Sequence, residues 1–208
     1  MKKILIIGFF VLLLSCQDKE VLLPISSESI IAEVKDYSTI NLFFKIENKD
    51  TLVDFNTKNS INANNWLFNI DKRLPLRKVI LEVKKLQNNK SSSMYKNKTY
   101  ENYFTYTDTV KKTMAFMPFS KIHFRLEKPD FNLVCFHLDR NDLVHYNEMV
   151  FSKSQILEFI NKLPKNSRIY FSFDKGMSFG KYIEYEFFIK HLVIPVGISI
   201  NYKKEYIY

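Results

Sequence analysis

The sequence predicts an α+β fold, in which small mixed sheets carry helices on one face. Apolar and polar residues alternate from Ile40 to Ile46, which is the pattern of a half-buried strand. From Leu76 onward the apolar spacing changes to the period of a helix. In the second half of the chain the elements follow in the order β-β-α-β-α-β, which favours helices packed on a sheet.

The first half is predicted to contain four strands and two helices. Pro75 suits the first position of a helix, and apolar residues from Leu76 to Leu86 form one face of it. A second amphipathic helix is expected from about Lys98 to Ala115, because aromatic and apolar residues recur there at helical spacing. The strands are expected at residues 40–46, 51–55, 66–70 and 122–126.

The second half begins after Pro129 and has the clearer pattern. Residues 131–138 are apolar on both faces, as in a central strand, and a turn leads into a strand at 143–151. Ser152 and Gln155 form a capping box before a short helix that ends near Leu163. The remaining elements are expected to be a strand at 169–173, a helix from Phe179 to about His191, and a last strand at 194–200.

Charge, cysteine and glycine usage exclude several classes of protein. The net charge is +9, but the lysines occur in scattered pairs, which argues against nucleic-acid binding. Cys135 lies in an apolar run and is expected to be a buried core residue, with a catalytic thiol as the alternative. Glycines are too few after the first fifteen residues for a phosphate-binding loop, so no nucleotide cofactor is expected.

The first sixteen residues carry an export signal. Two lysines precede the apolar stretch from Ile4 to Leu14, which is much shorter than the ~20 residues of a transmembrane helix. Leu13-Leu14-Ser15-Cys16 resembles the lipobox of bacterial lipoproteins, which implies removal of residues 1–15 and attachment of fatty acids such as palmitate to Cys16. The alternatives are an ordinary secretory signal and a short anchor helix. An aspartate directly after the cysteine retains lipoproteins at the inner membrane, and Gln17 stands there instead, so the outer membrane is expected. The charged residues that follow resemble the surface-export signal of Bacteroidota lipoproteins, so display at the surface is an alternative.

A second resemblance covers roughly residues 131–200. A strand ends in Asp174-Lys175, and a short spacer leads to Phe179-Gly180 and a helix. Together with the preceding strand, hairpin and helix, this order resembles the periplasmic domain of the ExbD/TolR biopolymer-transport family. The resemblance implies a domain that dimerises and binds envelope proteins or peptidoglycan. Family members also carry a transmembrane helix with an acid that serves a proton-driven motor; the leader of this chain has no acid, so motor function is not expected.

The first half repeats part of this motif. Leu67 to Lys72 aligns with Tyr170 to Lys175 at a constant offset of 103 residues, so Asp71 and Asp174 occupy equivalent strand ends. Two related units are therefore expected, with chance similarity as the alternative. The aspartates are interpreted as turn residues that accept amide hydrogen bonds, and an acid pair in a site is the other interpretation. The expected organisation is a leader (1–15), a lipidated cysteine and tether (16–37), a divergent first unit (38–128) and a second unit (129–208).

No catalytic motif is recognisable, so the protein is not expected to be an enzyme. The four histidines lack metal-ligand spacing, and a zinc site between His123 and His137 is an alternative. The expected function is that of a non-catalytic, lipid-anchored envelope protein that binds other envelope proteins or peptidoglycan, with a homodimer as one expected assembly. The alternatives are a surface lipoprotein that binds a glycan or nutrient, and a hydrolase without a known motif.

Overall fold

The computed structural model describes residues 20–48, 50–56, 64–91 and 100–208. These residues form a mixed α/β architecture with two mixed sheets, which is compatible with the α+β prediction. The first sheet contains β1 (Ile25–Ser26), β2 (Tyr37–Glu47), β3 (Asp50–Asn56), β4 (Asn65–Ile70), β5 (Asn102–Asp108) and β6 (Thr113–Pro118). The second contains β7 (His123–Arg125), β8 (Val134–Leu138), β9 (Leu143–Tyr146), β10 (Met149–Ser152), β11 (Arg168–Phe173) and β12 (Ser199–Ile207). The helices are α1 (Leu76–Ser91), α2 (Ile156–Ile160) and α3 (Phe179–Lys190).

Both sheets contain a parallel centre with an antiparallel hairpin on one side. In the first sheet β2, β4 and β5 run parallel, and β3 returns antiparallel from β2. In the second sheet β8, β11 and β12 run parallel, and β9 returns antiparallel from β8. Parallel neighbours need a crossover connection, and α1 and α3 lie in the crossovers from β4 to β5 and from β11 to β12.

The remaining strands differ between the sheets. β6 pairs with β5 antiparallel, whereas β7 pairs with β12 parallel. The chain before β2 was expected to be a tether, but its described part packs along the first sheet. β1 pairs with the end of β5, Pro24 and Val34 are buried, and Ile31 forms a bridge with Phe116. The apolar side chains of this segment explain the difference, because burying them stabilises the packed arrangement.

One hydrophobic core includes side chains from both sheets and from α1 and α3. Phe104 on β5 stacks on Phe119 with ring centroids 3.8 Å apart. The same ring meets Phe179 of α3 edge-on at 5.2 Å. Such aromatic pairs add to the stabilisation that burial of the rings provides. The two halves of the described chain are therefore packed as one body.

The helix that was predicted from about Lys98 to Ala115 is wrong. In the part of this segment that the structure describes, β5 and β6 form a hairpin. The aromatic residues match a helical period by coincidence, but Phe104 and Tyr106 also alternate along a strand, and both are fully buried. Aromatic and threonine residues favour a pleated, half-buried surface, and this preference prevails here.

Three strand boundaries also differ from the prediction. The last strand begins at Ser199 rather than near Ile194, because Pro195 and Gly197 interrupt the earlier alternation and Val196 is 99% exposed. The strand expected at 143–151 is split into β9 and β10 by a turn at Asn147, whose φ is +54°. Phe131 lies outside β8 and is exposed.

The other main elements are confirmed. α1 begins directly after Pro75, β11 covers the expected residues, and α3 starts at Phe179. Gln155 accepts a hydrogen bond from the Ser152 amide at 3.1 Å, as in the expected capping box, although the helix that follows is short and begins with a 3₁₀ turn. None of the helices in the described ranges combines the length and the apolarity that a membrane span requires.

Candidate functional site

Asp71 and Asp174 both lie in the turn that follows a central strand, as expected. The Asp71 amide donates to the Leu42 carbonyl and the Asp174 amide donates to the Leu138 carbonyl, each at 3.0 Å. The carboxylates then accept the amide two residues later, Arg73 N at 3.0 Å and Gly176 N at 2.6 Å. These are the contacts of turn residues.

Each aspartate also binds an arginine through two hydrogen bonds. Arg73 donates to Asp71 at 2.9 and 2.7 Å, and Arg140 donates to Asp174 at 2.9 and 3.0 Å. Burial opposes ionisation of both carboxyls, but the arginine and amide hydrogen bonds outweigh it and lower the pKa of each aspartate. Both therefore remain charged at neutral pH, and neither is poised to donate a proton.

The two turns bind each other through four reciprocal backbone hydrogen bonds. The Leu76 amide donates to the Met177 carbonyl, and the Phe179 amide donates to the Leu74 carbonyl, both at 2.8 Å. A second pair runs from Arg77 N to Lys175 O and from Gly180 N to Lys72 O, at 3.0 and 2.9 Å. Each member of a pair is 103 residues from its counterpart, so the contact has local twofold symmetry. We call the two turns that these bonds join, residues 72–77 and 175–180, the paired turns.

The remaining motif residues belong to this contact. The side chains of Lys72 and Lys175 are exposed, while their carbonyls accept the hydrogen bonds of the paired turns. A Cβ on Gly180 would lie 3.0 Å from Lys72 Cβ, so glycine permits the close approach. Lys72 and Gly180 also border a shallow cleft, in which Lys181 is already paired with Glu184 and Asp142.

A polar cluster lies on the face of the second sheet opposite the core. His137 Nδ1 is 3.1 Å from Ser172 Oγ, and His145 Nε2 is 3.1 Å from Asp139 Oδ2. The two imidazoles are 5.7 Å apart between centroids, so His137 neighbours His145 rather than His123. In the described ranges, no group of three or more histidine, cysteine, aspartate or glutamate side chains is arranged to hold a metal ion.

Cys135 belongs to this polar cluster and not to the hydrophobic core. Its thiol is 3.4 Å from Ser172 Oγ, and the side chain is partly buried. Burial raises the pKa of the thiol to about 11. Because the thiolate is the nucleophilic form, this sulfur is unreactive at neutral pH. Ser172 is itself fully buried, which keeps its hydroxyl away from an external substrate.

A largely apolar cleft of about 500 Å³ lies between α3 and the β5–β6 hairpin. We call it the α3 cleft. Its polar lining includes Glu101, Glu186 and Ser120, with Lys121 and Lys190 exposed at its border. Its apolar lining comes from both halves of the chain and consists of Ile30, Ile31, Met117, Pro118, Ile122 and Ile189.

Two glutamates meet beside this cleft. Glu205 on β12 is 5% exposed and accepts a hydrogen bond from the Tyr182 hydroxyl at 2.8 Å. Burial, and secondly the charge of Glu186, raises the pKa of Glu205 well above its usual range. Burial likewise raises the pKa of Glu186 to about 8. At neutral pH the free cleft therefore holds a protonated carboxyl group on Glu186.

Sequence reasoning did not single out Glu186 or Glu205. One signal was present, because Glu186 follows Tyr182 by four residues and precedes Ile189 by three, which places an acid within the apolar face of α3. Glu205 was hidden by the wrong boundary of the last strand. Cys16, the predicted lipidation residue, lies outside the described residues. The chain matches no family model, and no curated protein or solved structure was found that matches it.

Proposed function

We propose that this protein is a non-catalytic, lipid-anchored protein of the cell envelope. It carries two ExbD/TolR-like units and binds envelope proteins or peptidoglycan without a proton-driven motor. Lipidated Cys16 anchors the protein in the outer membrane, where the folded part faces either the periplasm or the cell surface. The proposal rests on the lipobox, on the repeated strand-to-helix motif and on how the two motifs meet.

The paired turns are the observation that carries the two-unit proposal. Each unit contributes the same backbone donors and acceptors to this contact, and both sheets share the order of hairpin, parallel strand, helix and parallel strand. An isolated unit would need a second chain to provide this contact. We therefore expect a monomer in which the fused units take the place of the two subunits of a homodimer.

The anchor is tested by labelling cells that express the full chain with an alkyne analogue of palmitate. We expect incorporation into the wild-type protein and its loss in Cys16→Ser. Cys135→Ser is the matched control and should keep the label, because its thiol is partly buried in the folded protein. A wild-type chain that retains Met1 and carries no lipid would contradict the anchor.

Binding is tested with the full lipoprotein in detergent. We expect it to sediment as a monomer, and to be retained by purified peptidoglycan sacculi or to crosslink to a defined envelope protein. A monomer that does neither would contradict the binding function. One observation favours the alternative of a ligand-binding surface lipoprotein, namely the α3 cleft, whose apolar lining suits a small molecule.

A further inference from the structure

The α3 cleft has the dimensions of a small-molecule site. Its volume of about 500 Å³ lies within the ~300–1,000 Å³ that is typical of ligand pockets. Its apolar wall is supplied by Ile30, Ile31 and Met117 on one side and by Ile189 on the other. An apolar part of a ligand would bury this surface from water, which is favourable.

Glu186 is the partly buried acid that lines the cleft from α3. It makes no hydrogen bond and no ion pair with any residue that the structure describes, although α3 holds it among apolar side chains. Apolar neighbours solvate a carboxyl group less well than water does, and a ligand that supplies a polar partner offsets this cost. The ligand is therefore expected to place a polar group against Glu186.

The charges around Glu186 favour a cation as that group. Glu205 lies behind Glu186 from β12, and Glu101 lines the opposite wall. Tyr202 of β12 and Tyr103 of β5 also line the cleft. The two basic residues, Lys121 in the loop after β6 and Lys190 at the end of α3, are exposed and hydrated. Two carboxyls, those of Glu101 and Glu186, thus line the space, and an ammonium group satisfies them better than a neutral or anionic group does.

We propose that the α3 cleft binds a small amphiphilic amine, whose apolar chain packs against the aliphatic wall and whose ammonium group pairs with the Glu186 carboxylate. This inference goes beyond the proposed envelope function and does not depend on the lipid anchor or on an envelope partner. The two proposals can therefore fail separately.

Binding of such a ligand displaces one proton. In the free protein at pH 7 the Glu186 carboxyl is protonated, because its pKa is about 8. When the ammonium group binds, the carboxyl becomes a carboxylate and its proton passes to the buffer, so the charges balance. Affinity should then rise about tenfold per pH unit below pH 8 and level off above it.

The test uses the full chain in phosphatidylcholine nanodiscs, with empty nanodiscs as the blank. Titration calorimetry compares n-hexylamine with n-hexanol and hexanoate, which share the chain and differ in the polar group. At pH 8.5 we expect n-hexylamine to bind at least about tenfold more tightly than n-hexanol, and hexanoate not to bind measurably. At pH 7, titrations in buffers of different ionisation enthalpy should report the release of about one proton per amine.

Variants locate the effect. Glu186→Gln should lose the preference for the amine and the release of the proton, whereas Glu186→Asp keeps a carboxyl and should retain both. Glu148→Gln, in the exposed turn between β9 and β10, is the matched control and should behave as wild type. Equal binding of n-hexanol and n-hexylamine, a preference that survives Glu186→Gln, or no binding of the amine would each overturn the proposal.

Discussion

At the scale of single residues, Asp71 and Asp174 each bind an arginine and a turn amide, but they are buried to different extents. The side chain of Asp71 is fully buried, while that of Asp174 is 19% exposed. Asp71 also accepts a hydrogen bond from the Leu22 amide at 3.2 Å, so it ties the segment before β1 to the turn. Removal of the Asp71 carboxylate therefore leaves more hydrogen-bond donors without an acceptor than removal of the Asp174 carboxylate does.

This difference predicts the order of two alanine substitutions. We expect Asp71→Ala to lower the free energy of unfolding by about 3 kcal/mol and Asp174→Ala by about 1 kcal/mol, because water can replace the carboxylate only at the exposed site. Urea denaturation followed by circular dichroism measures both values. Equal losses would show that burial does not control the effect.

Glu186 makes stability depend on pH. Its folded pKa of about 8 lies above the ordinary value of 4.5, so protonation favours the folded state. This contribution is complete below about pH 4.5 and is lost as the pH rises to about 8. Asp71 and Asp174 act in the opposite direction, since their lowered pKa values stabilise the fold only above the ordinary range of the carboxyl group.

We therefore expect the free energy of unfolding to fall between pH 5 and pH 8.5. Glu186→Gln should make this fall shallower, because it removes one of the two carboxyl groups whose pKa is raised. Glu205 should account for the remaining fall. Glu148→Gln should run parallel to the wild type. Urea denaturation at intervals of one pH unit tests the slopes, and identical slopes for Glu186→Gln and the wild type would refute the assignment.

At the scale of elements, the paired turns fix how α1 and α3 begin. Both helices start within a few residues of the reciprocal hydrogen bonds, and the approach depends on the absence of a side chain at Gly180. The equivalent position in the other turn is Arg77, which has a side chain. The contact is thus symmetric in its backbone and asymmetric in its side chains.

Gly180→Val should separate the turns. Its Cβ would meet Lys72 Cβ at 3.0 Å and the Lys72 carbonyl oxygen at 3.3 Å, so we expect a loss of about 2 kcal/mol in the free energy of unfolding. Arg77→Val is the matched control, because this equivalent position of the other turn already carries a side chain, and its loss should be smaller. In the double mutant with Lys72→Gly the losses should be less than additive, and full additivity would argue against the clash.

At the scale of the whole molecule, the two sheets share one core and should unfold together. Phe104 links them, since it belongs to β5 and contacts Phe179 and Tyr182 of α3. Calorimetry should show one transition whose calorimetric and van't Hoff enthalpies agree. Phe104→Ala should lower the midpoint of that single transition, at a cost of about 4 kcal/mol. Val110→Ala, at an exposed position, is the control, and two separate transitions would contradict a common core.

Local patterns predicted much of this molecule. Pro75 and the apolar face of α1, the capping box of Ser152, and the strand that ends at Phe173 all follow from short-range spacing. The hairpin of β5 and β6 could not be recognised in this way, because its aromatic residues satisfy two periods at once and only tertiary packing selects the strand.

The candidate site was harder to predict than the fold. Glu205 lies in a parallel strand next to two lysines, and such strands are expected to be apolar. The hydrogen bond from Tyr182 is what accommodates a buried acid there. The cleft also combines residues that are far apart in the chain, such as Ile30 and Tyr202, which no local pattern connects.

The offset of 103 residues has one more consequence. Applied along the helices, it makes Val83 of α1 the counterpart of Glu186 of α3, and Val83 is fully buried. Two identical subunits would have to carry the acid twice, once in each copy. Because both halves belong to one gene product, evolution can keep valine on one side and glutamate on the other. A protein with one acid of this kind binds one ligand per molecule, so its binding curve shows no cooperativity between equivalent sites.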